Sequence, residues 1–107
     1  MSQHIAGEGK QRVFFEKHLL DDDVILIVGG GERSHVGGVV ICEPGQPVQI
    51  LSLPGHYDMK VLRPLALAAC KKYQKKVTVL GGIHIDDASR EDIDTVVENC
   101  KTLEDHL

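Results

Sequence analysis

Three histidines of this chain lie next to glycine, in Ser34-His35-Val36-Gly37, Pro54-Gly55-His56-Tyr57 and Gly81-Gly82-Ile83-His84. Asp58, Asp86 and Asp87 follow close behind two of them. Imidazole changes charge near neutral pH and serves as acid, base, metal ligand or polar contact. Four readings compete for such a set. Three imidazoles with a carboxylate suit zinc or iron, but the chain has no HxH, HxxxH or HExxH spacing, so a metal is not expected. Histidine with aspartate performs acid–base work. No obvious nucleophile accompanies the set, since Ser34 and Ser52 lie in ordinary surroundings, and no catalytic residue is assigned. As a polar ligand site, imidazoles with glycine amides and Arg33 can hold a phosphate or a polar ring. The last reading is three unrelated surface or capping histidines. His4, His18 and His106 are read that way, from two terminal segments and an exposed strand face.

The elements that must position these residues meet at Gly29-Gly30-Gly31-Glu32-Arg33-Ser34-His35-Val36-Gly37-Gly38, where five of ten residues are glycine. The apolar run Val24-Ile25-Leu26-Ile27-Val28 precedes it and Val39-Val40-Ile41 follows, so one strand ends here and another begins. Glycine lets backbone approach a ligand closely, and amides exposed in such a turn form a small anion-binding concavity. The stretch is treated as one wall of a ligand site. The competing view is a mobile hairpin loop whose glycines only make the turn.

Composition limits the function classes. A length of 107 residues fits one domain, with residues 1–11 as a flexible N-terminal tail and 12–107 as a single α+β domain. At that size, sharing a face with a second copy would add burial. The formal charge of −4 argues against a phosphate-backbone partner. Aromatic residues make up 4% and Trp is absent, so a base-stacking platform is hard to build. Lys71, Lys72, Lys75 and Lys76 cluster where a helix ends and read as solvated cations facing its negative dipole end. Cys42, Cys70 and Cys100 are far apart and lack a CxxC pair; they read as small buried hydrophobes in a reducing cytoplasm. The N-terminal segment has no secretory h-region, and no apolar run reaches the roughly 20 residues that cross a bilayer.

Taken in order, strands are expected at 12–20, 24–28, 36–43 and 48–53, separated by Asp21-Asp22-Asp23, the glycine-rich stretch and Pro44-Gly45-Gln46-Pro47. Their short connections predict an antiparallel β-meander. A helix is expected at about 59–74, with Asp58 as N-cap. Pro64 means that it either begins near Arg63 or is kinked. A fifth strand covers 77–80, extended or bent through Gly81-Gly82-Ile83-His84-Ile85. Ser89-Arg90-Glu91-Asp92 resembles a capping box opening a last helix at about 90–104, whose apolar face is Ile93, Val96, Val97, Cys100 and Leu103. The order is ββββαβα: an antiparallel sheet with two helices on one face, its other face free for a partner sheet.

From about Arg12 onward the chain resembles the LpdD-like family. The resemblance rests on Gly29-Gly30, Ser34-His35-Val36-Gly37-Gly38, Leu53-Pro54-Gly55-His56, Gly81-Gly82-Ile83-His84-Ile85-Asp86 and the helix opened by Ala88-Ser89. The motifs are short, and their order and spacing carry the likeness. The family's small proteins are encoded near UbiD-type gallate and protocatechuate decarboxylases of aromatic acid metabolism. The resemblance implies a proteasome assembly chaperone-like fold, a homodimer, and a cytoplasmic chaperone. Its cargo would be reduced prenylated FMN, delivered to a UbiD-type decarboxylase. It also implies that Gly29, Gly30, His35, Gly37, His56 and His84 contact the flavin, to which the residue chemistry adds Arg33; from composition and spacing, no nucleic acid, membrane or metal is expected to be involved. Pro64 and the Tyr57-Asp58-Met59 segment depart from the family's pattern. Two alternatives stay open: a small histidine- or metal-dependent lyase acting on hydroxybenzoates, and a ligand-free assembly subunit of the decarboxylase.

Overall fold

The two apolar runs at 24–28 and 77–80 lie side by side at the centre of one sheet. The structure is a computed structural model and describes residues 2–54 and 58–107. Its strands are β1 (Ser2–Ala6), β2 (Val13–Leu20), β3 (Asp23–Gly30), β4 (Arg33–Cys42), β5 (Gln49–Ser52) and β6 (Val77–His84). A 3-10 turn, Gly9–Gln11, separates β1 from β2. The helices are α1 (Met59–Tyr73) and α2 (Arg90–Glu104). The protein is therefore α+β, with the six strands ordered β1-β2-β3-β6-β4-β5.

Side chains alternate across the sheet. Phe15, Leu26, Val28, Val40, Val77 and Val79 point to one face and are buried there. Both helices cover that face: Leu62, Leu65, Ala66 and Ala69 of α1 and Val96, Cys100 and Leu103 of α2 complete the core. On the opposite face, Ile25, Ile27, Leu80, Val39 and Ile41 stay partly exposed, and Leu51 is exposed. The three cysteines are free and buried. Burial pushes the Cys100 thiol up to about 12. It pushes that of Cys70 up to about 11, with the Cys42 thiol adding to the effect.

Two expectations need correction. The sheet is not a pure meander: β6 lies between β3 and β4, parallel to β3 and antiparallel to β4. A short connection does not oblige its two strands to pair, because an extended residue spans about 3.3 Å and a few of them clear an intervening strand. Residues 1–11, read as a loose tail, instead contain β1, which pairs with β2 in the register His4 to Phe15 and Ala6 to Val13. The sequence signal is weak because, over residues 3–6 of this edge strand, only Ala6 is buried; His4 stacks on His106, ring centroids 5.1 Å apart. The helix expected at about 59–74 forms as Met59–Tyr73 with Pro64 inside it, so it does not begin near Arg63. Pro64 lies on the exposed side, where water can satisfy the Lys60 carbonyl that lacks its helical donor.

The start of α2 follows its sequence signal. Ser89 Oγ accepts from the Asp92 amide at 3.0 Å, and Asp92 Oδ2 accepts from the Ser89 amide at 3.0 Å. This is the expected capping box. Among the described residues, no helix is long and apolar enough to cross a membrane.

Candidate functional site

The glycine-rich stretch is a crossing over the end of β6. Glu32 donates its amide to the His84 carbonyl at 2.8 Å, and Gly31 donates to the Arg12 carbonyl at 2.8 Å. Gly31 has φ +70°, and a Cβ there would lie 2.4 Å from the His84 carbonyl oxygen. A side chain at that point would push the chain off the strand end, so the crossing requires glycine. Its product is placement: β4 starts on the far side of β6, with Arg33 opposite His84 and Ser34 opposite Ile83. The next registered pair is Gly38 with Gly81, so β4 advances further than β6 over this interval. The excess is a bulge carrying His35, Val36 and Gly37, a device that re-aims side chains.

His35 and His84 thereby meet. Their ring centroids are 6.1 Å apart and the planes nearly perpendicular, at 89°. Each ring has an aspartate. His35 Nε2 lies 3.4 Å from Asp58 Oδ2. Asp58 is buried, and although it occupies the N-cap position of α1 its side chain makes no capping bond. Its Oδ1 instead accepts from the Ile83 amide at 3.0 Å. Gly37 and Gly82 make room for it: a Cβ would fall 2.0 Å and 2.8 Å, respectively, from Asp58 Oδ2.

His84 pairs with an exposed aspartate. Its Nε2 lies 2.8 Å from Asp86 Oδ1, which also receives Arg33 Nη2 at 3.0 Å. Glu32 Oε1 accepts the Asp86 amide at 2.9 Å. The bond to His84, followed by the charge of Arg33, holds the Asp86 carboxyl below the usual carboxylate range. With Nε2–H donated to Asp86, Nδ1 of a neutral His84 ring is an acceptor.

Of these groups, His35, Asp58 and His84 line a cavity of about 410 Å³ that Lys60 also lines. Small-molecule sites span roughly 300–1,000 Å³ and combine apolar walls with a few placed polar groups. The walls here are Val61 of α1, Ile83 and Ile85, and Ile93, Val96 and Val97 of α2. Among the described residues, no group of three or more His, Cys, Asp or Glu is arranged to hold a metal ion.

Of the residues named from sequence, His35 and His84 line the cavity. Gly37 packs beneath Asp58 and the His35 ring, and Arg33 reaches His84 through Asp86. Gly29 and Gly30 are not brought there. A Cβ on Gly29 would meet Phe14 and Ser34 Oγ, and one on Gly30 would meet the Arg12 carbonyl. The Gly30 amide donates to Ser34 Oγ at 3.0 Å. The amides of residues 30–32 are thus bonded within the fold rather than forming an anion concavity. His56 lies outside the described residues. Sequence reasoning read Asp58 as a cap and the apolar face of α2 wholly as core, and it passed over Lys60. The Gly81-Gly82 doublet was the available signal that a polar side chain packs against backbone there.

The family model described as the prenylated flavin chaperone LpdD-like domain matches residues 7–107. Among solved structures, the chain is similar to one in a chaperone complex for yeast 20S proteasome assembly. The TM-score is 0.58 at 13% identity, covering 99% of this chain and 98% of that one. That likeness is one of fold. No curated protein matches the sequence.

Proposed function

The chain belongs to the prenylated flavin chaperone LpdD-like family, and from that premise we propose that it binds reduced prenylated FMN as cargo and assists activation of a UbiD-type aromatic acid decarboxylase. The observation that carries the proposal is the pair of histidine rings, 6.1 Å apart, in the lining of a cavity whose other walls are largely apolar. The donor set fits the ligand. A fused ring needs apolar walls and a few polar contacts at one edge. His35 and His84 supply the contacts, and residues of α1, α2 and β6 supply the walls. Lys60, an exposed residue of the same lining, would offer a cation to the phosphate. The flavin brings redox and covalent chemistry that is used in the decarboxylase; this chain binds it, orients it and keeps water from its apolar part.

The protein acts in the cytoplasm as a homodimer, formed through the sheet face opposite the helices. A row of Ile27, Leu80, Val39 and Leu51 crosses four neighbouring strands on that face, and a second copy would remove it from water. Anaerobic titration of the purified protein with reduced prenylated FMN tests the reading. Saturable binding that His35→Ala weakens at least about tenfold is expected; no association would overturn it. The His35–Asp58 pair also suits a general base, which favours a lyase acting on hydroxybenzoates as the second reading. Turnover by the isolated chain would establish that reading in place of the first.

A further inference from the structure

We infer that the protein takes up a proton when it binds its ligand and gives it back on release, with His35 and His84 as the groups that carry it. The inference rests on the flavin reading above and supplies that site with a means of regulation. Both rings face a carboxylate through the same nitrogen. His35 Nε2 lies 3.4 Å from Asp58 Oδ2, and His84 Nε2 lies 2.8 Å from Asp86 Oδ1. A carboxylate so placed fixes the tautomer of a neutral imidazole and stabilises the imidazolium once it forms.

Charge decides when the proton arrives. Among the described residues, the charged groups that face the two rings or their aspartates come from three places. Asp58 and Lys60 lie at the start of α1, Glu32 and Arg33 at the start of β4, and Asp86 just beyond β6. The α2 residues of the lining, Ile93, Val96 and Val97, carry no charge. With both rings neutral, three carboxylates therefore stand against two cations. A phosphomonoester brings about −1.5 to −2 at pH 7, and the site has no net positive charge to meet it. Two protonated rings 6.1 Å apart repel each other in the free protein; an anion bound beside them offsets that repulsion. Ligand and proton thus favour one another, and the coupling is reciprocal. The sign follows: the bound state holds more protons than the free one, so affinity is greatest at low pH and falls as pH rises, by up to about tenfold per pH unit for each whole proton exchanged.

The experiment is an anaerobic calorimetric titration of the whole protein with reduced prenylated FMN at pH 7, in PIPES and in Tris, whose heats of ionisation differ. The difference in apparent enthalpy counts the protons exchanged. Uptake of about half to one proton is expected, with affinity several-fold weaker at pH 8 than at pH 6.5. Two variants separate the rings' protons from any that the ligand itself exchanges. His84→Gln removes one ring, and Asp86→Asn alters its carboxylate at a position that is 59% exposed and outside the core. Each should lower the uptake and flatten the pH dependence. Saturable binding without proton uptake, or an uptake unchanged in the variants that bind, would overturn the inference and leave the flavin reading standing. Absence of binding by the natural chain at every pH would overturn the flavin reading and this inference with it.

Discussion

Replacing Asp58 by Ala is expected to destabilise the fold through the sheet rather than through the helix that Asp58 precedes. The carboxylate makes no capping bond to α1. It accepts from the Ile83 amide at 3.0 Å and faces His35 Nε2 at 3.4 Å. Leaving a partly buried amide without an acceptor costs about 1–3 kcal/mol. The pairing with a histidine that is still 23% exposed adds no more than about 1 kcal/mol. Charge near the helix N-terminus contributes a few tenths. The sum is about 2–3 kcal/mol. Asp58→Asn keeps an acceptor for Ile83 and loses the charge, so it should cost about 1 kcal/mol. Equilibrium urea unfolding at one protein concentration separates the two: with a slope of about 2 kcal/mol/M, Asp58→Ala lowers the midpoint by about 1 M and Asp58→Asn by about half that. Two results would refute the reasoning. One is an Ala midpoint within error of the natural protein. The other is an Asn variant as unstable as the Ala one, which would mean that charge rather than the bond to Ile83 sets the cost.

Gly82→Ala places a methyl 2.8 Å from both Asp58 Oδ2 and His35 Nε2; the overpacking should cost about 1–3 kcal/mol and shift the His35 ring resonances in an NMR spectrum. Asp92 is held down to about 2, chiefly by the Ser89 amide and then by Gln11. A carboxyl whose folded value is depressed stabilises above its unfolded value, near 3.9, and loses that contribution as pH falls toward 2. Urea midpoints should therefore fall across that window, and Asp92→Asn should flatten the fall while lowering stability at pH 7. The raised Cys70 and Cys100 thiols should resist a thiol-specific reagent at pH 8 in the folded protein and react on unfolding. Leu80→Asp, on the uncovered sheet face, should give monomers by light scattering while the helix-covered core stays folded.

Local signals in the sequence were readable where the cause was local. The capping box at Ser89 depends on residues three apart, and it forms as expected. The apolar faces of both helices follow from spacing, and Leu62, Leu65, Ala66 and Ala69 are buried as α1's pattern requires. The position of β6 was not readable, because a parallel pair with β3 joins segments about fifty residues apart and leaves no local trace. The glycine flanks of His35 and His84 did mark convergence. What they could not reveal was direction. Asp58 precedes a helix, where aspartate ordinarily caps, and only the bulge at 35–37 and the bare backbone of Gly82 turn its carboxylate toward the sheet.

The crossing at Gly31 and Glu32 links those two outcomes. It carries the chain over β6, which makes the strand order differ from a meander, and the same step brings Arg33 and His35 beside His84. A meander would have paired β3 with β4 and left His84 on a different neighbour. The two imidazoles then differ in their anchors. His35 is set against a buried carboxylate tied to the sheet, and His84 against an exposed one shared with Arg33. On the proposed reading, a ring ligand between them would meet one polar contact fixed by the fold and one at an exposed pair, beside apolar lining residues. On that reading, affinity would come from the walls and orientation from the histidines. That division would suit the proposed role of holding a cofactor and giving it up: apolar contact has no required direction, so loosening the two directional contacts would let the ligand turn and leave.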